Sequence, residues 1–187
     1  MKTVLFAFCL LLSGWSQAAL IQLEPNQTNY QVGDTIQLNM TISGLTETVG
    51  AFFTEIVYQP SAMTLQSWQF GSGLDDGFGS LPFADHDAVT GSISLDEYAF
   101  FDADESILAQ QQGNGFILAS LSFVALQAGD FWLNFNPNWF GVESFDGAFI
   151  DASFADVNLS ISNPAQVPAP ATMMLLLLGL GLLLRRR

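Results

Sequence analysis

Apolar and polar residues alternate with a period of two across positions 35–43 of this chain. The apolar positions are Ile36, Leu38, Met40 and Ile42. Successive side chains of a β-strand point to opposite faces, so this pattern predicts a strand with one buried and one hydrated face. A turn-forming segment, Val32-Gly33-Asp34, comes directly before it. A chain made of such strands must bury their apolar faces against one another, which predicts an all-β, antiparallel β-sandwich.

Further short strands are predicted from similar patterns and from the turns between them. They cover positions 20–23, 51–58, 63–70, 92–101, 116–126, 131–135 and 151–161. A change of parity between Leu65 and Trp68 indicates a bulge. Turns are expected at 59–61, 127–130 and 136–138, and a long loop of functional or mobile character at 71–91. No helical stripe is found before the C-terminal tail.

Three segments carry a resemblance to a known sandwich family. They are Val32-Gly33-Asp34 before the alternating strand, positions 53–58 followed by Gln59-Pro60 and Leu65, and positions 118–123 followed by Ala128-Gly129. In these segments the chain resembles the cohesin-like sandwich, which implies a nine-stranded jelly roll. The family usually has aspartate at the place of Gln59. Cohesins proper bind calcium-loaded dockerin modules in cellulose-degrading complexes, and the resemblance is carried over here for the fold and not for that partner.

The N-terminus has the features of a secretory signal peptide. Lys2 precedes an apolar run at positions 4–12, and small residues follow up to Ala18. This order predicts export through the Sec translocon and cleavage by signal peptidase after Ala18. Cys9, the single cysteine of the chain, lies inside the apolar run. The exported protein is therefore expected to have no disulfide and no thiol chemistry.

The C-terminus combines a proline-containing segment, an apolar run and a basic end. Val167, Pro168, Ala169 and Pro170 precede the apolar positions 171–184, and the chain ends in Arg185, Arg186 and Arg187. As a helix the apolar run would be roughly 21 Å long, whereas the hydrocarbon core of a bilayer is ~30 Å thick. It therefore predicts a minimal membrane-spanning helix whose arginine end stays on the cytoplasmic side.

This tail resembles the PEP-CTERM sorting signal of Gram-negative bacteria that make exopolysaccharide. Ala169 stands where that family most often has glutamate. The resemblance implies processing by an exosortase, a membrane protease-transferase, with release or reattachment outside the cell; an ordinary C-terminal membrane anchor is the alternative. The expected organisation is a signal peptide at 1–18, a β-sandwich domain at 19–162, a linker with the sorting motif at 163–170, and a hydrophobic helix with the arginine cluster at 171–187.

Charge is separated along the chain. All 18 Asp and Glu residues lie between Glu24 and Asp156, whereas the four Lys and Arg residues lie at positions 2 and 185–187. The segment between the two ends thus has a charge of −18 when His86 is neutral. Such a field repels nucleic acid and anionic lipid headgroups. It leaves cations, neutral sugars and basic proteins as suitable partners.

Half of the acidic residues fall between Asp75 and Glu105. Clustered carboxylates in loops are typical calcium ligands, because Ca²⁺ takes 6–8 oxygens in flexible geometry. The candidate ligands are Asp85, Asp87, Asp102, Asp104 and Glu105. Their spacing does not match a twelve-residue calcium loop, and a solvated acidic loop is the alternative.

The single histidine, His86, lies between Asp85 and Asp87. A mixed histidine and carboxylate zinc site is conceivable, although one histidine cannot form a histidine-rich site. A carboxylate pair for glycoside hydrolysis is equally conceivable, because the separation of two carboxylates is a spatial property. No nucleophile motif surrounds any serine. The sequence therefore assigns no catalytic residue.

An aromatic ring beside amides stands out at positions 131–136. Alternation places Phe131, Leu133 and Phe135 on one face and Trp132, Asn134 and Asn136 on the other. Stacking on a ring together with amide hydrogen bonds suits a sugar. The candidate carbohydrate-binding residues are Trp132, Asn134 and the nearby Trp139. Burial of both faces, or rings covering one end of the sandwich, is the alternative.

These observations favour a secreted, non-enzymatic surface or extracellular-matrix protein of a Gram-negative bacterium. It would pass through an inner-membrane intermediate and associate with biofilm or exopolysaccharide. A carbohydrate-binding module is the second hypothesis. A glycoside-type hydrolase is the third.

Overall fold

The computed structural model describes residues 18–165, which form two β-sheets around a shared core. The strands are β1 (Ala19–Pro25), β2 (Asn29–Gln31), β3 (Thr35–Ser43), β4 (Val49–Val57), β5 (Met63–Phe70), β6 (Ser80–Asp87), β7 (Ser92–Ala99), β8 (Gly115–Ala125), β9 (Gly129–Ser144), β10 (Ala152–Ala155) and β11 (Val157–Ser162). A helix, α1 (Glu105–Gln112), lies between β7 and β8. The predicted all-β sandwich is confirmed for this part of the chain.

The two sheets are built from non-consecutive strands. The five-stranded sheet has the order β10-β1-β3-β8-β5, and the six-stranded sheet has the order β2-β11-β9-β4-β7-β6. Neighbouring strands are antiparallel except in the β1–β10 and β2–β11 pairs, which are parallel. In both parallel pairs, one of the first two strands lies beside one of the last two. The beginning and the end of the sandwich are therefore hydrogen-bonded to each other.

The core lies between the two sheets and follows the alternation seen in the sequence. Ile36, Leu38 and Met40 of β3 are fully buried, and they belong to one cluster with Phe52 of β4 and Phe123 of β8. Burying a side chain of this size contributes roughly 1.5–3 kcal/mol. The apolar residues predicted for the inner face of β3 therefore do hold the two sheets together.

Two local features of the sequence are confirmed as they were predicted. The Val32-Gly33-Asp34 turn has Gly33 at φ 96°, a left-handed conformation that glycine adopts without a steric penalty. The pairing of β5 with β8 changes register between Leu65 and Ser67, which is the bulge expected between Leu65 and Trp68. The bulge reverses the faces of the following residues, since side chains alternate along a strand.

The prediction of one long loop at 71–91 was wrong. The structure contains the eight-residue strand β6 inside it, at the edge of the six-stranded sheet and paired with β7. Its residues are exposed or half-buried, since an edge strand that extends past the core has little to bury. Alternation of apolar and polar residues is consequently absent, and the composition of an edge strand resembles that of a loop.

A short helix, α1, was not predicted, because the sequence shows no helical stripe before the tail. Helix α1 begins after Asp104, whose side chain accepts a hydrogen bond from the N–H of Ser106, and it ends at Gly113. An aspartate in this position satisfies a helix N–H that has no partner inside the helix. Only Leu108 and Gln112 of the helix are buried. A helix with so few buried positions has no apolar stripe to reveal it.

Two predicted strand limits near the C-terminus are corrected. Strand β9 continues through the turn expected at 136–138 and reaches Ser144. The single strand expected at 151–161 is divided at Asp156 into β10 and β11, which belong to different sheets. The Asp156 carboxylate accepts a hydrogen bond of 2.8 Å from the N–H of Phe135. This contact fixes the chain where it crosses from one sheet to the other.

Residues 1–17 of the predicted signal peptide (1–18) lie outside the described residues, as do the predicted sorting motif Val167-Pro168-Ala169-Pro170, the predicted membrane helix and the arginine cluster. Within residues 18–165, no helix is long and apolar enough to cross a bilayer.

Candidate binding surface

Exposed aromatic side chains gather on the outward side of the six-stranded sheet, which we call the outer aromatic face. Cross-strand pairs of β4 with β7, and of β7 with β6, define which side chains share this side. Its residues are Ala51, Phe53, Glu55, Val57, Leu81, Phe83, Asp85, Asp87, Ser92, Ser94, Asp96, Tyr98, Asp130, Trp132, Asn134, Trp139, Glu143 and Phe149. The face contains aromatic rings and carboxylates and no basic residue.

Trp132 and Asn134 reach this face by simple alternation along β9. Leu133 and Phe135 point into the core and are buried. Because side chains alternate along a strand, Trp132 and Asn134 point outward. Trp132 is 56% exposed. The structure thus places Trp132 and Asn134 side by side on one surface, with their side chains available to a partner.

Trp139 reaches the same face by a different route. Ile56 of β4 pairs with Phe135, but Thr54 pairs with Phe140, so β9 contains additional residues between the two pairing positions. These residues form a wide bulge that carries Trp139 onto the ring of Phe53, with 5.6 Å between ring centroids. Trp139 is 47% exposed.

The candidate residues Trp132 and Trp139 do not lie together. Asn134 pairs with Val57, which places Trp132 beyond the end of β4, whereas Trp139 lies on Phe53. Along the direction of β4, the position of Trp132 and the position of Phe53 are six residues apart. At ~3.3 Å for each residue, the two indoles are roughly 20 Å apart. They form two zones of the face rather than one sugar platform.

A shallow groove adjoins Trp132. It has a volume of about 430 Å³, and its walls include Val57, Gln59, Asp130 and Asn134 beside the indole. Asn136, which alternation placed on the same face, donates its amide to the Glu55 carboxylate. The amide of Asn136 is therefore occupied, and Asn134 is the amide left beside Trp132.

The second zone is a cluster of four rings that we call the aromatic patch: Phe53, Phe83, Tyr98 and Trp139. Phe83 and Tyr98 meet in an edge-to-face contact with 6.3 Å between centroids. They are 57% and 37% exposed. Gly141 lies under the ring of Phe53, where a Cβ atom would come within 2.3 Å of it. Any larger residue at this position would therefore displace the Phe53 ring.

Asp96 occupies the centre of the aromatic patch. It pairs across the sheet with Phe53 on one side and with Phe83 on the other. Its Oδ1 atom is buried and has no hydrogen-bond partner. Burial raises the pKa of the Asp96 carboxyl, and the nearby indole N–H of Trp139 opposes this shift. The patch thus covers a half-buried carboxyl group that has one unpartnered oxygen and no basic side chain beside it.

The five candidate calcium ligands occupy two separate places. Asp85 and Asp87 lie near the end of β6, whereas Asp102, Asp104 and Glu105 follow β7, whose last residue pairs with the first residue of β6. The two groups are therefore at opposite ends of the β6–β7 hairpin, roughly 16 Å or more apart. Among residues 18–165, no group of three or more His, Cys, Asp and Glu side chains is arranged to hold a metal ion.

These carboxylates instead organise the backbone around them. Asp87 accepts hydrogen bonds from the N–H groups of Val89 and Thr90 in the β6–β7 turn. Asp104 begins α1, and hydrogen bonds from Ser106 lower the pKa of its carboxyl. Hydrogen bonds from Thr90 and Val89 lower the pKa of Asp87 in the same way.

His86 lies on β6 rather than in a loop. Its Nε2 atom is 2.7 Å from the hydroxyl of Tyr58, and its ring lies beside Trp68. Both partners come from the inner side of the sandwich, where the edges of the two sheets approach each other. The histidine therefore takes part in packing at this seam.

One carboxyl has an acidity suited to acid catalysis, but a substrate cannot reach it. Burial raises the pKa of Glu97 to about 7, a hydrogen bond from Ser80 opposes this shift, and the charge of Asp75 adds to it. Glu97 is 2% exposed and lies on the inner face of β7. A glycosidase needs an open cleft between two carboxylates to hold the sugar ring. Glu97 and Asp75 therefore do not form a glycosidase site.

The sequence did not single out the residues of the aromatic patch other than Trp139. Phe53 lay in a segment interpreted as a buried strand, and Phe83 lay in the expected loop. A signal for Asp96 and Tyr98 was present, because Ile93 and Leu95 of β7 mark the inner face and leave alternate positions outside. The same alternation places the acidic Glu97 on the inner face.

Comparison with known proteins supports the fold. A type II cohesin domain from the cellulosome of Acetivibrio cellulolyticus is similar to this chain with a TM-score of 0.66 and 15% identity, over 76% of this chain and 95% of that one. A type I cohesin in a cohesin–dockerin complex from Clostridium thermocellum gives 0.61 and 13%, over 81% and 99%. A non-cellulosomal cohesin from the archaeon Archaeoglobus fulgidus gives 0.60 and 14%, over 79% and 93%.

At these identities the likeness establishes a cohesin-like sandwich and nothing further. No protein-family model matches the sequence, and no curated protein matches it.

Proposed function

We propose that this chain is an exported, non-enzymatic adhesion module that attaches to an extracellular partner through the outer aromatic face. The observation that carries the proposal is the group of half-exposed rings on one side of one sheet. Monomeric soluble proteins rarely leave contiguous apolar surface of this kind in water unless it binds something. Aromatic residues are also the side chains most enriched in protein interfaces.

The two ends of the sequence support export and sorting. Residues 1–18 would direct the chain to the Sec translocon and signal peptidase. The tail from Val167 to Arg187 would hold it in the inner membrane of a Gram-negative bacterium until an exosortase-like enzyme processes the Val167-Pro168-Ala169-Pro170 motif. The module would then be attached to the cell surface or released into the exopolysaccharide matrix of a biofilm.

The structural neighbours are compatible with a binding role. Several are cohesins, and at least three of them were solved in complex with a dockerin. We take from them that a sandwich of this fold can serve as a protein-binding module. Dockerin itself is not proposed as the partner of this chain.

Removing the two exposed indoles of the face should abolish attachment. The full chain in a mild neutral detergent is incubated with the extracellular matrix of the producing bacterium and sedimented. We expect the Trp132→Ala/Trp139→Ala variant to be retained at least about tenfold less than the unchanged chain, since truncating a tryptophan that is a binding hot spot costs about 2 kcal/mol or more. Phe101→Ala is the matched control, because Phe101 is 97% exposed and lies outside the face. Equal retention of both variants would contradict the proposal.

The groove beside Trp132 favours a second candidate function, carbohydrate binding. Here the indole would stack on a sugar ring while Asn134 binds its hydroxyl groups. The test is sedimentation with deproteinised exopolysaccharide, in calcium and in chelator. Direct sugar binding should persist in chelator and disappear in Trp132→Ala. Binding lost in chelator would instead support a calcium-organised module and return attention to Asp85, Asp87, Asp102, Asp104 and Glu105.

A further inference from the structure

The aromatic patch surrounds a charge that is not neutralised. Asp96 lies in its centre with a buried, unpartnered Oδ1. The sequence has no Lys or Arg between positions 3 and 184, so no basic side chain of the sandwich can pair with it. A buried carboxylate oxygen that has no hydrogen-bond partner is unfavourable. An external positive charge would relieve this condition.

The rings themselves favour the same kind of ligand. The face of an aromatic ring is electrostatically negative and attracts a cation within about 6 Å of its centre. Trp139 and Tyr98 present such rings on two sides of Asp96, and Phe83 is the most exposed ring of the patch. A guanidinium or ammonium group placed on these rings would interact with the rings and with the carboxylate below them.

The surroundings of the patch indicate a polypeptide rather than a single small cation. Three further carboxylates, those of Glu55, Asp85 and Glu143, lie on the same face. Each is two residues along its strand from a residue of the patch or from Gly141 beneath it. Carboxylates spaced along three strands complement several basic side chains of one segment. Exposed Leu81 and Val57 offer apolar contacts on the same face.

We propose that the aromatic patch over Asp96 binds a lysine or arginine side chain of a basic protein segment. The inference rests on the proposed function and names the partner chemistry for one zone of its surface. An amino sugar offers the same ammonium chemistry, and the experiment includes it as a separate arm.

The probe is an acetylated and amidated hexapeptide of alternating arginine and serine, compared with a peptide that has citrulline in place of arginine. Binding to the full chain in neutral detergent is measured by calorimetry at two salt concentrations. The indole N–H signal of Trp139 is followed by nuclear magnetic resonance. We expect the arginine peptide to shift the Trp139 signal, and the citrulline peptide to leave it unchanged.

Two matched variants separate the patch from general attraction to an acidic protein. Asp96→Asn and Asp130→Asn remove the same charge from the same face, but Asp130 lies beyond Trp132 and far from the patch. We expect Asp96→Asn to weaken binding about three- to tenfold and Asp130→Asn less than about twofold. Phe83→Ala, on the exposed edge strand, is a second variant with an expected loss like that of Asp96→Asn. Circular dichroism confirms that each variant is folded.

Three outcomes would overturn the inference: equal binding of both peptides, equal losses in Asp96→Asn and Asp130→Asn, or a Trp139 shift with a glucosamine oligomer but not with the arginine peptide. If the peptide fails while the chain still attaches to matrix through Trp132 and Trp139, only this inference falls. If matrix attachment fails as well, the proposed function falls with it.

Discussion

Replacing Gln112 by leucine is expected to destabilise the sandwich by about 2–4 kcal/mol. Gln112 is buried at the end of α1, where its Oε1 accepts from the N–H of Val49 and its Nε2 donates to the carbonyls of Val49 and Gly73. Leucine would fill the space but leave three buried backbone groups without this partner. An unsatisfied buried group costs about 1–3 kcal/mol.

The measurement is urea unfolding of the two proteins, compared at their midpoints. Gln111→Leu is the control, because Gln111 is on the same helix but exposed, and it should change stability by less than about 0.5 kcal/mol. Equal losses in the two variants would show that the hydrogen bonds of Gln112 do not hold the helix to β4.

Replacing Glu97 by glutamine is expected to stabilise the protein above pH 7 by about 2–3 kcal/mol. Burial raises the pKa of Glu97 from 4.5 to about 7 in the folded state. A raised pKa means that the folded state holds the proton more tightly than the unfolded chain. The stability from this group is therefore complete below pH 4.5 and is lost as the pH rises through 7. Glutamine removes the charge that the buried site disfavours.

The test is the free energy of unfolding of Glu97→Gln and the unchanged chain at pH 4.5 and pH 8. The two should be similar at pH 4.5 and differ at pH 8. Glu24→Gln is the control for the general effect of removing one negative charge, since Glu24 is exposed. A gain at pH 8 no larger than that of Glu24→Gln would contradict the assignment.

The sequence was informative wherever a strand had one buried and one exposed face. The alternation in β3, the turn at Gly33 and the bulge after Leu65 were all predicted because local chemistry determines them. Edge strand β6 and helix α1 were missed for a shared reason. Both bury few side chains, so neither carries the periodicity on which such predictions depend.

The candidate surface was predicted only in part. Alternation along β9 correctly placed Trp132 and Asn134 outside. The position of Trp139 depends on a bulge in β9, and the pairing of β9 with β4 determines the size of this bulge. The local sequence around Trp139 does not reveal how these two strands pair. The placement of Phe53, Phe83 and Tyr98 around Asp96 requires three neighbouring strands. Such a juxtaposition follows from sheet order, which the sequence alone did not provide.

The most direct test of the binding surface is hydroxyl-radical footprinting of the full chain with and without matrix extract. The method reports the solvent exposure of individual aromatic side chains, and the protein has exposed rings both on and off the face. We expect protection of Trp132, Trp139, Tyr98 and Phe83, with Phe78 and Phe101 unchanged. Protection of the second group, or of neither group while the chain stays bound, would contradict the assignment of the outer aromatic face as the binding surface.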